Sequence, residues 1–247
     1  TDPNNPCWII YTDSSFRNPK SMDRYPNLKA HLDKFYNIIS SDNKPYGLHR
    51  AREERFFKGE KVIALRKSTG KPLFSYSDFD CYLSATFYII KTDRVNMKYL
   101  TGLLNSKLIQ FWLKNRGKMQ GLNYQLDKEP LIGIPIIVPN KNIQNKISQL
   151  VDFIIQLKKN PQEPINKYVD NKYIETVIQD IIDGLIFECY FTDLFHDKSI
   201  EITPLIDDFD NIYDFYKHLK SCKSNLLNII NTMKIELNDL LIPILTI

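Results

Sequence analysis

The feature that most restricts the fold is a change of pattern at residues 160–164, where the sequence is NPQEP. Before this break, strand-like apolar runs alternate with segments of helical spacing, and from about Tyr168 onward the spacing is almost entirely helical. Two prolines within five residues interrupt a helix and favour a connection. The sequence therefore predicts an α+β protein: a mixed α/β domain at 1–160, followed by an all-helical C-terminal module at 165–247.

Hydrophobic spacing predicts the individual elements of both regions. Strands are expected at 7–12, 61–67, 72–77, 80–91 and 131–139. Helices are expected at 25–41, 97–116, 140–159, 172–196, 207–220 and 222–242. Asn96 is placed to cap the second of these helices, and Gly117 to end it.

Composition indicates a folded protein outside the membrane. The 247 residues are 43% hydrophobic and 25% charged, and no apolar run approaches the roughly 20 residues of a bilayer span. The four cysteines are scattered without a C-x-x-C pair, which favours a reducing, cytoplasmic location. Because the chain opens on Thr1 and not on methionine, we expect it to be a piece of a longer polypeptide.

Charge is distributed unevenly along the chain. Residues 1–140 hold 22 lysines and arginines against 13 acidic residues, whereas residues 141–247 hold 11 against 16. All eight arginines lie at or before Arg116. Since the planar guanidinium suits phosphate and guanine edges, the first region is the one expected to bind an anionic polymer.

Catalytic and metal-binding patterns are missing from the sequence. Its eight glycines form no G-x-G turn and its prolines no Pro-Pro pair, so neither a dinucleotide nor S-adenosylmethionine has a recognisable site. The four histidines form no compact ligand set. Asp42-Asn43-Lys44 and Asp170-Asn171-Lys172 match the nuclease pattern D-x-K, which arises easily by chance. We therefore predict no catalytic residue, metal ligand or cofactor within this chain.

A dense basic stretch, Gly47–Lys67, leads into the predicted strand at 61–67. Five of its cations are predicted to contact backbone phosphates: Arg50, Arg52, Arg55, Arg66 and Lys67. The alternative is a solvated face in which the arginines pair with Glu53, Glu54 and Glu60.

The glycine-bearing segment 114–130 combines cations with amides and is the candidate for base recognition. The residues predicted to contact DNA there are Arg116, Lys118, Gln120, Asn123, Tyr124, Gln125 and Lys128. Arginine and lysine pair with guanine O6 and N7, and asparagine and glutamine with adenine N6 and N7. The alternative is a polar connection whose amides cap their own turns.

Five segments in sequence order resemble the TaqI-like C-terminal specificity domain. They are YPNLKAHLDKF, LHRAREERFFKGEKVIALRK, FDCYLSATFYIIK, YLTGLLNSKLIQFWLK and GKMQGLNYQLDKEPLIGIPI. The resemblance spans about residues 8–159 and is most specific in YLTGLLNSKL and in GKMQG followed by Q-x-DKEPL and IPI.

The resemblance implies a function that composition alone does not. Domains of this family are the target recognition domains of adenine-specific DNA methyltransferases and of type IIG fused restriction–modification enzymes. The implied partners are double-stranded DNA and an N-terminal methyltransferase domain of the same polypeptide, which binds S-adenosylmethionine and methylates adenine N6. This chain lacks the family's cofactor glycines and its Asn-Pro-Pro-Tyr loop. The expected parent is therefore a site-specific adenine methyltransferase, with or without endonuclease activity, of which this fragment is a non-catalytic part.

Two other hypotheses remain open at the level of sequence. One is a protein–protein interaction module that docks partners through its acidic helical end. The other is a nuclease whose catalytic residues form no recognised motif.

Overall fold

The computed structural model describes residues 9–39, 43–161, 165, 169–197 and 199–219. The described part combines helices with two three-stranded sheets, which confirms the predicted α+β class. The helix predicted at 222–242 lies outside the described residues. Residues 9–12, the described part of the strand predicted at 7–12, form no strand.

The chain divides into two compact units, and neither is continuous in sequence. The first comprises residues 1–61 and 77–84, and the second comprises residues 62–76 and 85–247. The predicted division at 160–165 follows a different criterion, the change of sequence pattern, and stays a prediction.

The first unit consists mainly of short helical turns around a few buried side chains. Helix α1 (Pro26–Asp33) begins with the proline predicted for its first turn, where the missing N–H costs no helical hydrogen bond. It ends earlier than predicted, since residues 34–38 continue as turns. Phe57 is buried and packs edge-on against Tyr11, with ring centroids 5.4 Å apart.

The first sheet has the strand order β3-β1-β4, and all its residues except Lys61 and Ser77 belong to the second unit. Its strands are β1 (Lys61–Leu65), β3 (Phe74–Ser77) and β4 (Phe87–Ile90). β1 and β4 are antiparallel, with Val62 opposite Ile90. The strand predicted at 80–91 is thus wrong over its first half, because residues 80–86 form no strand and β4 begins only at Phe87.

The second sheet was not predicted, although parts of two predicted elements contribute to it. It contains β2 (Lys67–Thr69), β5 (Lys118–Gln120) and β6 (Asn123–Gln125) in the order β2-β6-β5. β6 pairs antiparallel with both neighbours. The segment expected to be a loop at 114–130 therefore contains a β-hairpin.

The single helix predicted at 97–116 is two helices, α2 (Met97–Asn105) and α3 (Lys107–Arg116). The prediction that Asn96 caps the first is confirmed, since its side chain accepts hydrogen bonds from the N–H groups of Lys98 and Tyr99. Ser106 adopts an extended backbone and caps α3 by accepting from the Ile109 N–H. The helix breaks here because a serine side chain can hydrogen-bond a nearby backbone N–H in place of continuing the helix.

The remaining helices follow the second sheet. They are α4 (Lys128–Ile132), α5 (Lys141–Lys159), α6 (Asn171–Tyr190) and α7 (Thr192–Asp197), with a further helical stretch at 212–219. The strand predicted at 131–139 is wrong: its start ends α4, and residues 134–139 form no strand. Pro135, which has no N–H to donate, weakens any strand there.

The hydrophobic core of the second unit extends across residue 160. α2 packs closely on α5 at Gly102, where an added Cβ would lie 2.9 Å from Cγ2 of Ile147. α6 adds Ile182 to the same core. Asp183 of α6 accepts a hydrogen bond from the first N–H of α3, that of Lys107, at 2.9 Å. The helices thereby hold α3, from which the hairpin of the second sheet continues.

Candidate nucleic-acid interface

The register of the second sheet brings polar side chains from distant parts of the chain into two rows. Lys67 and Lys118 both lie opposite Gln125, one on each side. Thr69 and Gln120 both lie opposite Asn123 in the same way. Because side chains alternate along a strand and directly opposed residues share a face, these six register positions belong to one face of the sheet.

This face is polar and open to solvent. Lys67, Thr69, Lys118 and Asn123 are exposed, and Gln125 is half-buried. We call β2, β6 and β5 the polar sheet, and the face that carries these residues its polar face. Five residues predicted independently to contact DNA, Lys67, Lys118, Gln120, Asn123 and Gln125, occupy positions on it.

Hydrogen bonds orient both amides of the polar face. Asn123 Oδ1 accepts from the Thr69 hydroxyl at 3.4 Å. Gln125 Nε2 donates to Oδ1 of Asp127 at 2.8 Å. Each amide keeps at least one further donor and one further acceptor position. Both side chains therefore keep the N–H donor that bonds adenine N7 and the oxygen acceptor that bonds the adenine N6 amino group.

Tyr124, also predicted to contact DNA, lies on the opposite face of the polar sheet. It is buried beneath the sheet, and its hydroxyl donates to the carbonyl of Leu113 at 2.7 Å. Burial raises the pKa of Tyr124 to about 12. Its role in this structure is to support the polar sheet, since a 1% exposed ring offers no surface to a base.

Gly117 makes this support possible. It follows α3 as predicted, with φ −94°, which any residue can adopt. The requirement for glycine is steric, because an added Cβ would lie 2.1 Å from Oη of Tyr124 and 2.7 Å from the Leu113 carbonyl. Leu113, Gly117 and Tyr124 thus pack together beneath the polar sheet, and we call this contact the joint.

Two further predicted cations flank the polar sheet along the chain. Arg116 ends α3 and is exposed, with its guanidinium carbon 5.0 Å from the Trp112 ring centroid, where the ring holds it by a cation–π contact. Lys128 is the exposed first residue of α4. Lys118 lies on the sheet itself and keeps its ammonium 3.9 Å from Asp127, the outer limit of an ion pair.

Arg66 connects the two sheets of the second unit through its backbone. Its N–H donates to Thr86 at 3.0 Å, and its carbonyl accepts from Leu126 at 2.9 Å. The exposed guanidinium donates to the Ala85 carbonyl at 3.2 Å and lies over the Tyr88 ring. Arg66 is thus anchored at the start of β2, next to Lys67.

The other cations of the basic stretch belong to the first unit and interact there. Arg55 pairs with Glu53 at 2.6 Å. Arg52 is half-buried and donates to the Ser84 carbonyl at 3.5 Å. Arg50 is exposed in a left-handed conformation, φ 52°. None of these three arginines occupies a register position of the polar sheet.

Two lysines of this stretch also interact locally, Lys58 with acidic side chains and Lys61 with backbone carbonyls. Lys58 lies 3.3 Å from both Glu54 and Asp80, and its hydrogen bonds to Tyr82 and Asp80 raise the pKa of its ammonium. Lys61 is fully buried and donates to the carbonyls of Gly59 and Phe79 at 2.6 and 2.5 Å. The alternative interpretation of the stretch, pairing with local acids, therefore holds for part of it.

Potential metal ligands do not cluster in the described part of the chain. No three histidine, cysteine or acidic side chains in it are placed to hold a metal ion. Asp170 of the second D-x-K match caps α6 by accepting from the Lys172 N–H at 3.0 Å. Asp42 of the first match lies outside the described residues.

Sequence reasoning missed three residues of the polar sheet. Thr69 and Asp127 orient the two amides, and Leu122 occupies the tip of the hairpin. The spacing of Gln125 and Asp127, two residues apart, was the one available signal, since short-range amide–carboxylate pairs are common in turns.

Comparison with known families identifies the domain that carries this sheet. Residues 20–136, slightly under half of the chain, match the family model of the TaqI-like C-terminal specificity domain. The resemblance expected from the sequence is confirmed over that range: residues 20–136 are similar to the specificity domain of this family, and the similarity indicates a DNA-recognition role in restriction–modification. No curated protein matches the chain. None of the helices within the described residues has the length and apolarity needed to cross a bilayer.

Proposed function

We propose that this chain is the sequence-specific, double-stranded-DNA recognition module of an adenine-N6 DNA methyltransferase or of a fused restriction–modification enzyme. The observation that carries the proposal is the polar face, where lysines at 67 and 118 flank amides at 123 and 125. The family match over residues 20–136 supports the same function independently.

The chemistry of the polar sheet suits the major groove. That groove is about 12 Å wide and admits a two-stranded β-ribbon, such as the hairpin of β5 and β6. Amides on the ribbon are matched to adenine edges, while lysines beside them are matched to phosphates. Arg116 and Lys128, at the two ends of the hairpin segment, extend the cationic surface along the chain. Arg50, Arg52 and Arg55 remain predicted phosphate contacts of the first unit.

The remainder of the enzyme is part of the proposal. A methyltransferase domain of the same polypeptide would bind S-adenosylmethionine and transfer its methyl group to adenine N6, in the cytoplasm. This chain offers that cofactor no glycine-rich turn. Its own contribution is to choose the site at which the methyl group is delivered.

The proposal predicts sequence-selective, salt-dependent binding by the chain alone. Duplexes selected from a random pool should bind the chain more tightly than scrambled duplexes, with log K falling linearly as log salt rises. Gln125→Ala and Arg116→Ala should each reduce the preference for the selected site by about 1–3 kcal/mol. Fluorescence anisotropy against selected and scrambled duplexes measures both quantities.

Asn145→Ala is the matched control, since it removes an exposed amide from α5, far along the chain from the polar sheet. It should leave affinity and preference unchanged. Binding that does not respond to salt would favour the interaction-module hypothesis. Gln125→Ala and Arg116→Ala variants that keep the wild-type preference would remove the hairpin segment from base recognition.

A further inference from the structure

The tip of the β5–β6 hairpin presents a single apolar side chain. The strands are joined by the two-residue turn Gly121–Leu122, with Gln120 and Asn123 paired before and after it. Gly121 has φ +62°, whereas Leu122 has no positive φ, the arrangement of a type II′ turn with glycine first. Leu122 is 81% exposed, the highest exposure among the large apolar residues of the described chain.

The backbone of this tip is held in place. The carbonyl of Leu122 accepts a hydrogen bond at 2.9 Å from the N–H of Gly70, in the connection that follows β2. Gly70 has φ +79°, a conformation that favours glycine. The side chain of Leu122 is therefore exposed on a braced turn, which lowers the entropic cost of fixing it against a ligand.

The surroundings of Leu122 define what it can contact. Asn123 follows it directly on the polar face, and Lys67 and Lys118 lie further along the same sheet. An isolated leucine among amides and lysines is not an apolar patch of the size that docks proteins. In the major groove, the apolar group that distinguishes one base pair from another is the C5-methyl group of thymine.

We propose that Leu122 contacts the C5-methyl group of a thymine in the major groove and thereby selects thymine at one position of the recognised sequence. The inference rests on the proposed function and deepens it. Asn123 would recognise the base pair beside that thymine, because the two residues are consecutive at the hairpin tip. The contact is apolar and forms no covalent bond.

A competing use of an exposed apolar tip is insertion between base pairs. Wedge residues of this kind act from the minor groove and kink the duplex. The oriented amides of the polar face favour the major groove, since the minor groove carries no pattern that separates A·T from T·A. Insertion is therefore an outcome that the test must be able to detect.

The test replaces thymine by deoxyuridine, which lacks only the C5-methyl group. The preferred duplex of the 247-residue chain is first obtained by selection from a random pool, and each thymine in it is then changed singly to deoxyuridine. At one position, the wild-type chain should bind the deoxyuridine duplex about fourfold more weakly than the thymine duplex, because the burial of one methyl group is lost. Leu122→Ala should bind the thymine and deoxyuridine duplexes equally.

Ile132→Ala is the matched control, because Ile132 is also strongly exposed, at 70%, but ends α4 outside the sheet. It should discriminate deoxyuridine as the wild type does. Since Leu122 packs against little, its replacement should leave the melting temperature unchanged, which excludes misfolding as a cause.

The outcomes separate this inference from the proposed function. A chain that binds no duplex in a salt-dependent manner overturns both. Sequence-selective binding together with a Leu122→Ala variant that keeps the wild-type thymine preference overturns the thymine contact alone. A Leu122→Ala variant that binds all duplexes more weakly and abolishes a 2-aminopurine unstacking signal also overturns it, in favour of insertion.

Discussion

The first-unit part of the basic stretch, residues 50–61, and the polar sheet both contain closely spaced cations, yet they arrange them differently. In the stretch, acids lie next to the cations in sequence, and Arg55 and Lys58 pair with Glu53 and Glu54. In the sheet, the lysines come from strands about 50 residues apart and flank a central strand of amides. Among the described residues, no ion pair involves Lys67.

This contrast shows that charge density along a sequence is a poor guide to a binding surface. Exposed pairs between neighbours contribute little to stability, but they neutralise the field that would attract phosphate. Cations gathered by strand pairing are separated from their sequence neighbours and keep that field. The comparison can be tested by substitutions in the polar sheet and by substitutions in the basic stretch.

The largest effect is expected from breaking the joint beneath the polar sheet. Gly117→Ala places a Cβ against Tyr124 and a backbone carbonyl, neither of which can yield without moving the hairpin. Overpacking of this kind costs about 1–3 kcal/mol in the free energy of unfolding. Urea denaturation should show that loss, and duplex binding should fall with it because the polar face loses its register.

Gly133→Ala is the control for this variant. Its added Cβ would meet only ordinary contacts, the nearest at 3.4 Å, so stability should change little. A Gly117→Ala variant with wild-type stability and binding would show that the joint is more adaptable than its geometry indicates.

Local signals in the sequence predicted much of the fold. Asn96 is a strong N-cap and starts α2 where expected, and the long apolar stripe of α5 predicts its helix within two residues. These features depend on residues within one or two turns of each other. The break at Ser106 is also local, but a serine between two apolar runs fits a continuous helix equally well.

The polar sheet could not be predicted because its information is non-local. β2, β5 and β6 have three residues each, too few to show a period of two. Pairing between Thr69 and Asn123 joins segments that no local pattern relates. The residue types of Asn123 and Gln125 were enough to predict that their amides could recognise bases. The burial of Tyr124 could be seen only in the three-dimensional structure.

A smaller effect is expected from Tyr124→Phe, which tests whether Tyr124 supports the polar sheet or contacts bases. Tyr124→Phe removes the hydrogen bond to Leu113 and should lower the free energy of unfolding at pH 7 by about 0.5–1.5 kcal/mol, without changing sequence preference. The folded pKa, about 12, exceeds the ordinary value of 10.0. The tyrosine's contribution is therefore complete below pH 10 and is lost as the pH rises towards 12.

Urea denaturation between pH 7 and 12 tests both parts of this prediction. The alkaline loss of stability should be smaller in Tyr124→Phe than in wild type, since phenylalanine has no proton to release. Tyr213→Phe, at an exposed ring, should follow the wild-type curve. A changed sequence preference in Tyr124→Phe would instead return this residue to base recognition.

The smallest effect is the most direct comparison between the two regions. Lys67→Ala should reduce the slope of log K against log salt by about 1, because one phosphate contact is lost, and should weaken all sequences alike. Arg55→Ala should change the slope by less than half as much, since Glu53 already lies 2.6 Å from that guanidinium. Lys141→Ala, at the exposed start of α5, is the control that measures how much the salt slope changes when a lysine outside both regions is removed. Equal changes in Lys67→Ala and Arg55→Ala would mean that DNA displaces Glu53, in which case the basic stretch contacts phosphate as its sequence predicts.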